Sequence, residues 1–398
     1  MMPEFITNTS LGIYIHWPFC LSKCPYCDFN SHVLEVIDHN RWKRALIREL
    51  VFLSKHLKHK KLKSVFFGGG TPSLMHPDTV FSIIETIKSI WPENDPIEIT
   101  LEANPSSIEY KTFSLFRDAG VNRISVGVQA LNDKDLEFLG REHSKLDAIK
   151  ALETAHKTFD RVSFDLIYAR PQQDLKSWLF ELEEALEIAG EHISVYQLTI
   201  EKGTAFYSQH KNGLFEMPCN ELTGEFYENT IEKLTSAGLY NYEISNHAQP
   251  GAECQHNMIY WRSEDYLGVG PGAHSRLTNT DGKRYAKRSV TAPAAWLQKV
   301  ENDGHALIEE NILSHFEQFA ETIIMGLRLK EGIPIKKIYS LTRKTNGQLL
   351  GNTTLRALIN EGYIEIDSFS FKATDSGRQR LNGVVSAIID SIDLSNYR

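Results

Sequence analysis

Short apolar runs alternate with longer amphipathic stretches over the first half of the chain. Six runs have the length of a buried strand and end at polar or glycine-rich positions. These predicted strands cover residues 13–15, 64–67, 97–101, 123–126, 162–166 and 193–198. Between them, apolar residues recur at helical spacing. The predicted helices cover residues 41–57, 78–90, 111–119, 147–157 and 175–189.

Strands that alternate with helices indicate parallel β/α units joined by right-handed crossovers. A closed barrel of eight such units takes about 250 residues. Residues 12–200 fit six units better. We therefore predict an α/β fold built on a partial (β/α)6 barrel.

The pattern changes from about residue 286, where helices precede a short hairpin. Helices are predicted over residues 316–329, 335–339, 355–360 and 378–389, and hairpin strands over residues 363–366 and 370–372. This order is typical of a smaller α+β, winged-helix-like domain. We predict one domain over residues 1–285 and a second over residues 286–398, which would act as a lid or docking domain.

A cysteine-rich loop directly follows the first predicted strand. Cys20, Cys24 and Cys27 have the spacing C-x3-C-x2-C. Soft thiolate ligands select iron–sulfur clusters or zinc. A structural zinc site normally closes with four ligands, whereas Cys219 and Cys254 are single residues far along the chain. The loop therefore favours a [4Fe–4S] cluster with one iron left open for a small molecule.

Other polar or glycine-rich positions follow the remaining predicted strands. They are Gly68, Gly69, Gly70, Thr71, Glu102, Gln129, Asp165 and Gln197. The functional residues of a parallel barrel lie at the carboxyl ends of its strands. We expect these residues to share a site with the cysteine loop.

Composition narrows the class of protein. The chain has 398 residues, a formal charge of −8 and a pI of about 6.0, which argues against general nucleic-acid binding. Residues 1–11 lack the basic start and apolar region of a signal peptide. No apolar run approaches the roughly 20 residues of a membrane span. We expect a cytoplasmic protein with at most peripheral membrane contact.

The cysteine spacing after a strand resembles the signature of the radical S-adenosylmethionine (SAM) superfamily. The run Gly68-Gly69-Gly70-Thr71-Pro72 is similar to the version found in its oxygen-independent coproporphyrinogen III oxidase-like branch. The resemblance implies an open (β/α)6 barrel and a cluster whose open iron is chelated by SAM. In that superfamily, the reduced cluster gives SAM an electron, which yields methionine and a 5′-deoxyadenosyl radical.

The resemblance also implies SAM-binding roles for residues of this chain. Tyr14 and Tyr26 would lie near the cluster-bound SAM, Gly69, Gly70 and Thr71 would contact it, and Glu102 would bind its ribose. In the oxidases, the positions of Gln129, Arg141 and Asp165 help to bind a second SAM. Arg141 and Asp165 could equally form a structural ion pair. No residue is identified as catalytic.

Two features distinguish groups within this branch. The oxidases carry a fourth cysteine where this chain has Phe29. The stretch His256-Asn-Met-Ile-Tyr260-Trp261 matches a signature of heme chaperones in the branch, as does the glycine-rich segment ending at His274. His256 is the candidate heme ligand, since imidazole is a common axial ligand. Cys254 and His274 are alternative ligands.

The same stretch has a plainer interpretation. His256 could cap a turn while the two aromatic residues fill core. Alternatively, the flat apolar faces of Tyr260 and Trp261 would suit stacking on a porphyrin.

The resemblance thus implies a heme chaperone that binds heme and transfers it to acceptor hemoproteins. It would carry a [4Fe–4S] cluster and SAM, receive electrons from a donor such as a flavodoxin or ferredoxin, and could form a homodimer. The alternative is an enzyme, an oxygen-independent coproporphyrinogen III dehydrogenase. It would decarboxylate two propionates to give protoporphyrinogen IX. A radical SAM enzyme with an unrelated substrate also stays open, because cluster and SAM residues do not report the substrate.

Overall fold

The computed structural model describes residues 10–34, 36–92, 96–107 and 109–392. The strands are β1 Ser10–Trp17, β2 Phe19–Cys20, β3 His32–Val33, β4 Lys61–Gly69, β5 Glu98–Ala103, β6 Arg123–Gln129, β7 Arg161–Tyr168, β8 His192–Gln197, β9 Tyr240–Asn241, β10 Asn246–Ala248, β11 Asp265–Val269, β12 His274–Thr278, β13 Arg284–Ser289, β14 Leu307–Ile312, β15 Ile333–Pro334, β16 Ile364–Ile366 and β17 Ser370–Ala373.

The helices alternate with these strands through the first half and dominate the end of the chain. They are α1 His39–Leu53, α2 Pro77–Ile90, α3 Phe113–Asp118, α4 Asp133–Phe138, α5 Lys145–Thr158, α6 Leu175–Ile188, α7 Ala205–Lys211, α8 Asn220–Ser236, α9 Gln255–Trp261, α10 Pro293–Asp303, α11 His315–Gly326, α12 Ile335–Thr342, α13 Asn346–Leu350, α14 Thr353–Asn360, α15 Asp375–Gln379 and α16 Leu381–Ser391. Within the described residues, no helix is long and apolar enough to cross a bilayer.

A 12-stranded sheet forms the body of the protein, in the order β14-β13-β12-β11-β1-β4-β5-β6-β7-β8-β10-β9. The six strands from β1 to β8 in this order are parallel neighbours, which confirms the predicted α/β class. One feature was missed. Strand β11 also lies parallel to β1 and extends the parallel part by a seventh strand.

Residues of the parallel strands alternate between two environments. Ile13, Val65 and Leu101 are fully buried in the core cluster that includes helix residues such as Leu46 and Ile83. The alternate positions face the inside of the curved sheet and are largely polar. Among them, the hydroxyl groups of Ser163 and Ser125 lie 3.0 Å apart. Since side chains of a strand alternate in direction, this pattern separates an apolar layer under the helices from a polar interior.

The C-terminal part has its own apolar core. Strands β15, β17 and β16 form a three-stranded sheet, and the helices around it contribute Phe319, Ile323 and Val384 to a separate buried cluster. The predicted hairpin is confirmed as β16 and β17. The predicted last helix is instead split at Arg380 into α15 and α16. The predicted domain boundary after residue 285 stays a prediction, and the large sheet continues through it to Ile312.

Candidate functional site

The cysteine loop lies at the carboxyl end of β1. Strand β2 pairs in parallel with β3, which closes the loop, and the Cys27 amide donates to the Cys24 carbonyl at 3.1 Å. Cys20, Cys24 and Cys27 are half-buried free thiols. All three line one cavity of about 390 Å³, within the size range of small-molecule sites.

Most of the residues expected to hold SAM line the same cavity. They are Tyr26, Gly69, Gly70, Thr71, Glu102, Gln129, Arg141 and Asp165. Tyr14 is not among the lining residues in the described part of the chain. Its hydroxyl lies 3.2 Å from Nδ1 of His16. The strand-end residues thus share one space with the cysteine loop, as predicted, except Gly68, which is not among the lining residues of the described chain.

Each of the three thiols has a polar neighbour. Thr71 donates to Sγ of Cys20 at 3.4 Å, and Arg141 donates through Nη1 to Sγ of Cys24 at 3.3 Å. The Cys27 sulfur lies 3.9 Å from the Ser31 hydroxyl. Among the described residues, no group of three acidic, histidine or cysteine side chains converges on a single metal ion. Three thiolates that each bind a different iron atom of a cluster need not converge on one point, and three thiols that line one cavity fit such a cluster.

The glycines at the carboxyl end of β4 allow the chain to pass close to the cysteine loop. Gly69 has φ +116°, a conformation that L side chains rarely adopt. A Cβ atom on Gly70 would lie 2.6 Å from the Phe19 carbonyl oxygen. The Gly69 amide donates to Oε2 of Glu102 at 3.3 Å. The glycine run therefore sets the spacing between β1, β4 and the cavity.

Two half-buried carboxyl groups, of Glu102 and Asp165, line the cavity. Burial, reinforced by the negative charge of Asp165, raises the pKa of Glu102 to about 8. Burial raises the pKa of Asp165 to about 6. Burial disfavours the ionised form of each carboxyl group. Both groups therefore change protonation near neutral pH.

Arg141 does not form the alternative ion pair with Asp165 in the described structure. Its Nη2 instead donates to Oδ1 of Asn104 at 2.6 Å and to the Gly127 carbonyl at 2.8 Å. Nε of Arg141 is buried and has no hydrogen-bond partner among the described residues. Because Nε has almost no accessible surface, it offers no donor to a ligand in the cavity, and the described hydrogen bonds of Arg141 go to Cys24, Asn104 and Gly127.

His256 lies away from this cavity, on helix α9. The imidazole is buried, with Nδ1 2.8 Å from the Ser64 hydroxyl and Nε2 2.9 Å from the Tyr260 hydroxyl. The His256 amide donates to Oε1 of Glu98 at 3.1 Å. Burial and the nearby Arg123 lower the pKa of His256 to about 3, so the ring is neutral.

Helix α9 and the cavity lie at opposite ends of the barrel. Glu98, which binds the His256 amide, is the first residue of β5, whereas Glu102 at the cavity is the fifth. Four residues of strand span about 13 Å. Of the alternative heme ligands, Cys254 is buried against Glu98 and His274 is exposed on β12. The structure therefore does not bring His256 together with the cysteine loop.

Asn104 is the main cavity residue that the sequence analysis missed. It lies two residues after Glu102, in Leu-Glu-Ala-Asn-Pro, and lines the cavity beside Arg141. Its position just beyond the carboxyl end of β5 is the signal that could have identified it.

Comparison with known proteins is consistent with this geometry. The model of the radical SAM superfamily matches residues 14–185, and the model of the HemN C-terminal domain matches residues 313–380. "Radical S-adenosyl methionine domain-containing protein 1, mitochondrial" of Danio rerio is 35% identical, over 99% of this chain and 89% of its own length. The chain belongs to the radical SAM superfamily. Membership implies SAM and a [4Fe–4S] cluster as cofactors.

Within the superfamily, the chain lies in the HemN-like branch, close to HemW. "Heme chaperone HemW" of Escherichia coli is 33% identical, over 95% of this chain and 98% of its own length. The solved coproporphyrinogen III oxidase HemN of Escherichia coli superposes with a TM-score of 0.79, covering 96% of this chain and 90% of its own. At 22% identity, that likeness shows the shared fold.

Proposed function

We propose that this radical SAM protein is a heme chaperone that binds heme and transfers it to acceptor hemoproteins. It would do so while carrying a [4Fe–4S] cluster and SAM. The observation that carries the proposal is the similarity to HemW over nearly the full length of both chains. Phe29 supports it, because it stands where the oxidases of this branch have a fourth cysteine. Phe29 is 60% exposed and lines the mouth of the cavity.

Cys20, Cys24 and Cys27 are proposed to hold the cluster, because their three thiols line one cavity. When bound, the cluster and SAM supply one-electron chemistry. Glu102 is proposed to accept hydrogen bonds from the ribose hydroxyls of SAM. Arg141 lines the cavity and is proposed to help to bind SAM there.

The heme ligand is proposed from three candidates, of which His256 is the one that the sequence favours. Both of its ring nitrogens are engaged, with Ser64 and Tyr260. Ligation by His256 would therefore require α9 to leave its place at the end of the barrel. His274 is exposed and could reach a ligand without such a movement.

The partners of a heme chaperone would be heme and the acceptor hemoproteins. A flavodoxin or ferredoxin would supply electrons if SAM is reduced in the working cycle. Oxygen-independent coproporphyrinogen III dehydrogenase activity is the competing function, since the cysteine loop and the glycine run fit it equally well.

Heme transfer tests the proposal directly. Protein loaded with heme under anaerobic conditions is mixed with apomyoglobin, and the Soret band is followed against free heme at the same concentration. We expect this chain to bind heme. We also expect the rate of heme transfer to apomyoglobin to increase with the concentration of the heme-loaded chain. Conversion of coproporphyrinogen III to protoporphyrinogen IX with SAM and reductant, without heme binding, would replace the chaperone function by the enzymatic one.

A further inference from the structure

Asn104 bridges two residues that contact the cysteine thiols. Its Oδ1 accepts a hydrogen bond from Nη2 of Arg141 at 2.6 Å, and its Nδ2 donates to Oγ1 of Thr71 at 3.1 Å. A flipped amide would place an NH2 group against the guanidinium group, where both groups can only donate. The two contacts therefore fix one orientation of the Asn104 side chain.

Thr71 and Arg141, the two side-chain partners of Asn104, each donate a hydrogen bond to a different thiol. Thr71 donates through Oγ1 to Sγ of Cys20 at 3.4 Å. Arg141 donates through Nη1 to Sγ of Cys24 at 3.3 Å. Because the Thr71 oxygen already accepts from Asn104, its single proton points elsewhere and is available to the sulfur. Two of the three thiols are thus linked through one amide side chain.

Asn104 is itself held from the opposite side by Glu109. The backbone N–H of Asn104 donates to Oε2 of Glu109 at 2.9 Å. Glu109 is buried and also accepts hydrogen bonds from the hydroxyl groups of Ser73 and Ser106. This second layer restricts where the Asn104 backbone can move.

We infer that Asn104 is a positioning residue that aims the donors of Thr71 and Arg141 at Cys20 and Cys24, and so raises the reduction potential of the cluster on these thiolates. A hydrogen bond to a ligating sulfur stabilises its negative charge, which is larger in the reduced state, so donors to sulfur raise the potential. This inference rests on the proposed role of the three cysteines. Asn104 itself contacts none of the three thiols in the described hydrogen-bond network.

The test is a redox titration of the reconstituted cluster in Asn104→Ala, followed by EPR without SAM. We expect a midpoint potential more negative than that of the wild type, because both donors lose their orientation. Asn104→Asp keeps an acceptor for Arg141 but loses the donor to Thr71 and adds a negative charge, so we expect its potential also to be more negative than that of the wild type. Asn212→Ala is the control. Asn212 is exposed directly after α7 and is not among the residues that line the cavity, so the potential of this variant should stay that of the wild type.

The outcomes separate this inference from the proposed function. A wild-type protein that cannot hold a cluster would overturn both. A wild-type cluster whose potential is unchanged in Asn104→Ala would overturn the inference alone. If Asn104→Ala loses the cluster, Thr71→Val and Arg141→Met remove one donor each and are titrated instead. Equal potentials in both of these variants and the wild type would then overturn the inference.

Discussion

Ser64 and His256 are joined by a hydrogen bond of 2.8 Å between the Ser64 hydroxyl group on β4 and Nδ1 of the His256 ring on helix α9. This contact fixes the histidine of the His-Asn-x-x-Tyr-Trp motif inside the protein, at the end of the barrel away from the cysteine loop. The motif therefore has a structural role whether or not its histidine also binds heme.

We expect His256→Ala to lower the free energy of unfolding by about 2–4 kcal/mol, because the buried hydroxyl group of Ser64 and the hydroxyl group of the half-buried Tyr260 lose their partner. Denaturant unfolding of the protein measures this change. His274→Ala removes an exposed imidazole and is the control, with an expected change within about 0.5 kcal/mol. Equal stability of the two variants would contradict the structural role of His256.

Cys20→Ala, Cys24→Ala and Cys27→Ala should each abolish assembly of the [4Fe–4S] cluster, because each thiolate is expected to bind a separate iron. The checks are the broad visible absorbance and the iron and sulfide content after anaerobic reconstitution. Cys219→Ala is a matched control, since Cys219 is exposed and lies outside the cavity lining. Full iron and sulfide in all three loop variants would disprove the cluster assignment.

At pH 9, Glu102→Gln should weaken SAM binding by about 10- to 100-fold, since hydrogen bonds to a charged acceptor contribute about 1.5–3 kcal/mol. The pKa of Glu102 is about 8 in the free protein, so below this pH the carboxyl group is mostly protonated. The ionised form is the stronger acceptor. SAM affinity should therefore rise as the pH increases from 7 to 9.

Anaerobic calorimetry across this pH range measures the effect. The Glu102→Gln variant cannot ionise at this position, so its SAM affinity should lose that dependence. A wild-type affinity that is flat or falls with increasing pH would rule out ribose binding by an ionised Glu102.

Arg328 connects the C-terminal part to the barrel. Its guanidinium group donates to the buried carboxylate of Glu243 at 3.0 Å and lies 4.6 Å from the ring centroid of Trp261. Arg328→Ala should lower the free energy of unfolding by about 1–3 kcal/mol, because it leaves a buried carboxylate without its cation. Because Arg328 is half-exposed, we expect this loss of stability to be smaller than the loss for a fully buried ion pair.

Arg262→Ala is a suitable comparison, since the Arg262–Glu331 pair is exposed on both sides. Its loss should change the free energy of unfolding by about 0–1 kcal/mol. Chemical denaturation followed by tryptophan fluorescence compares the two variants. An equal effect of both substitutions would count against the Arg328 contact as a structural link.

The features that the sequence predicted well are local ones. The six strands and the cysteine loop could be predicted because the period of apolar residues, the length of each apolar run and the cysteine spacing are all properties of short segments. Strand β11 escaped prediction because it pairs with β1 from about 250 residues further along the chain. The same reason applies to Arg141, whose contacts with Cys24 and Asn104 depend on the packing of separate strands. The sequence motif identified His256 as a candidate functional residue, whereas the burial of the His256 side chain is a property of the folded chain.

Heme affinity of the histidine variants tests the ligand assignment. A folded His256→Ala protein that binds heme more weakly than the wild type would support ligation by His256. Unchanged affinity would move the ligand to His274 or Cys254, and titration of His274→Ala separates these two.

The most direct test of the chaperone function is an anaerobic heme titration of the cluster-containing wild-type protein, followed at the Soret band. We predict saturable binding at a stoichiometric amount of heme per chain, with a spectrum distinct from that of free heme. A signal that rises without saturation, as heme does when it adsorbs nonspecifically, would contradict the proposed function.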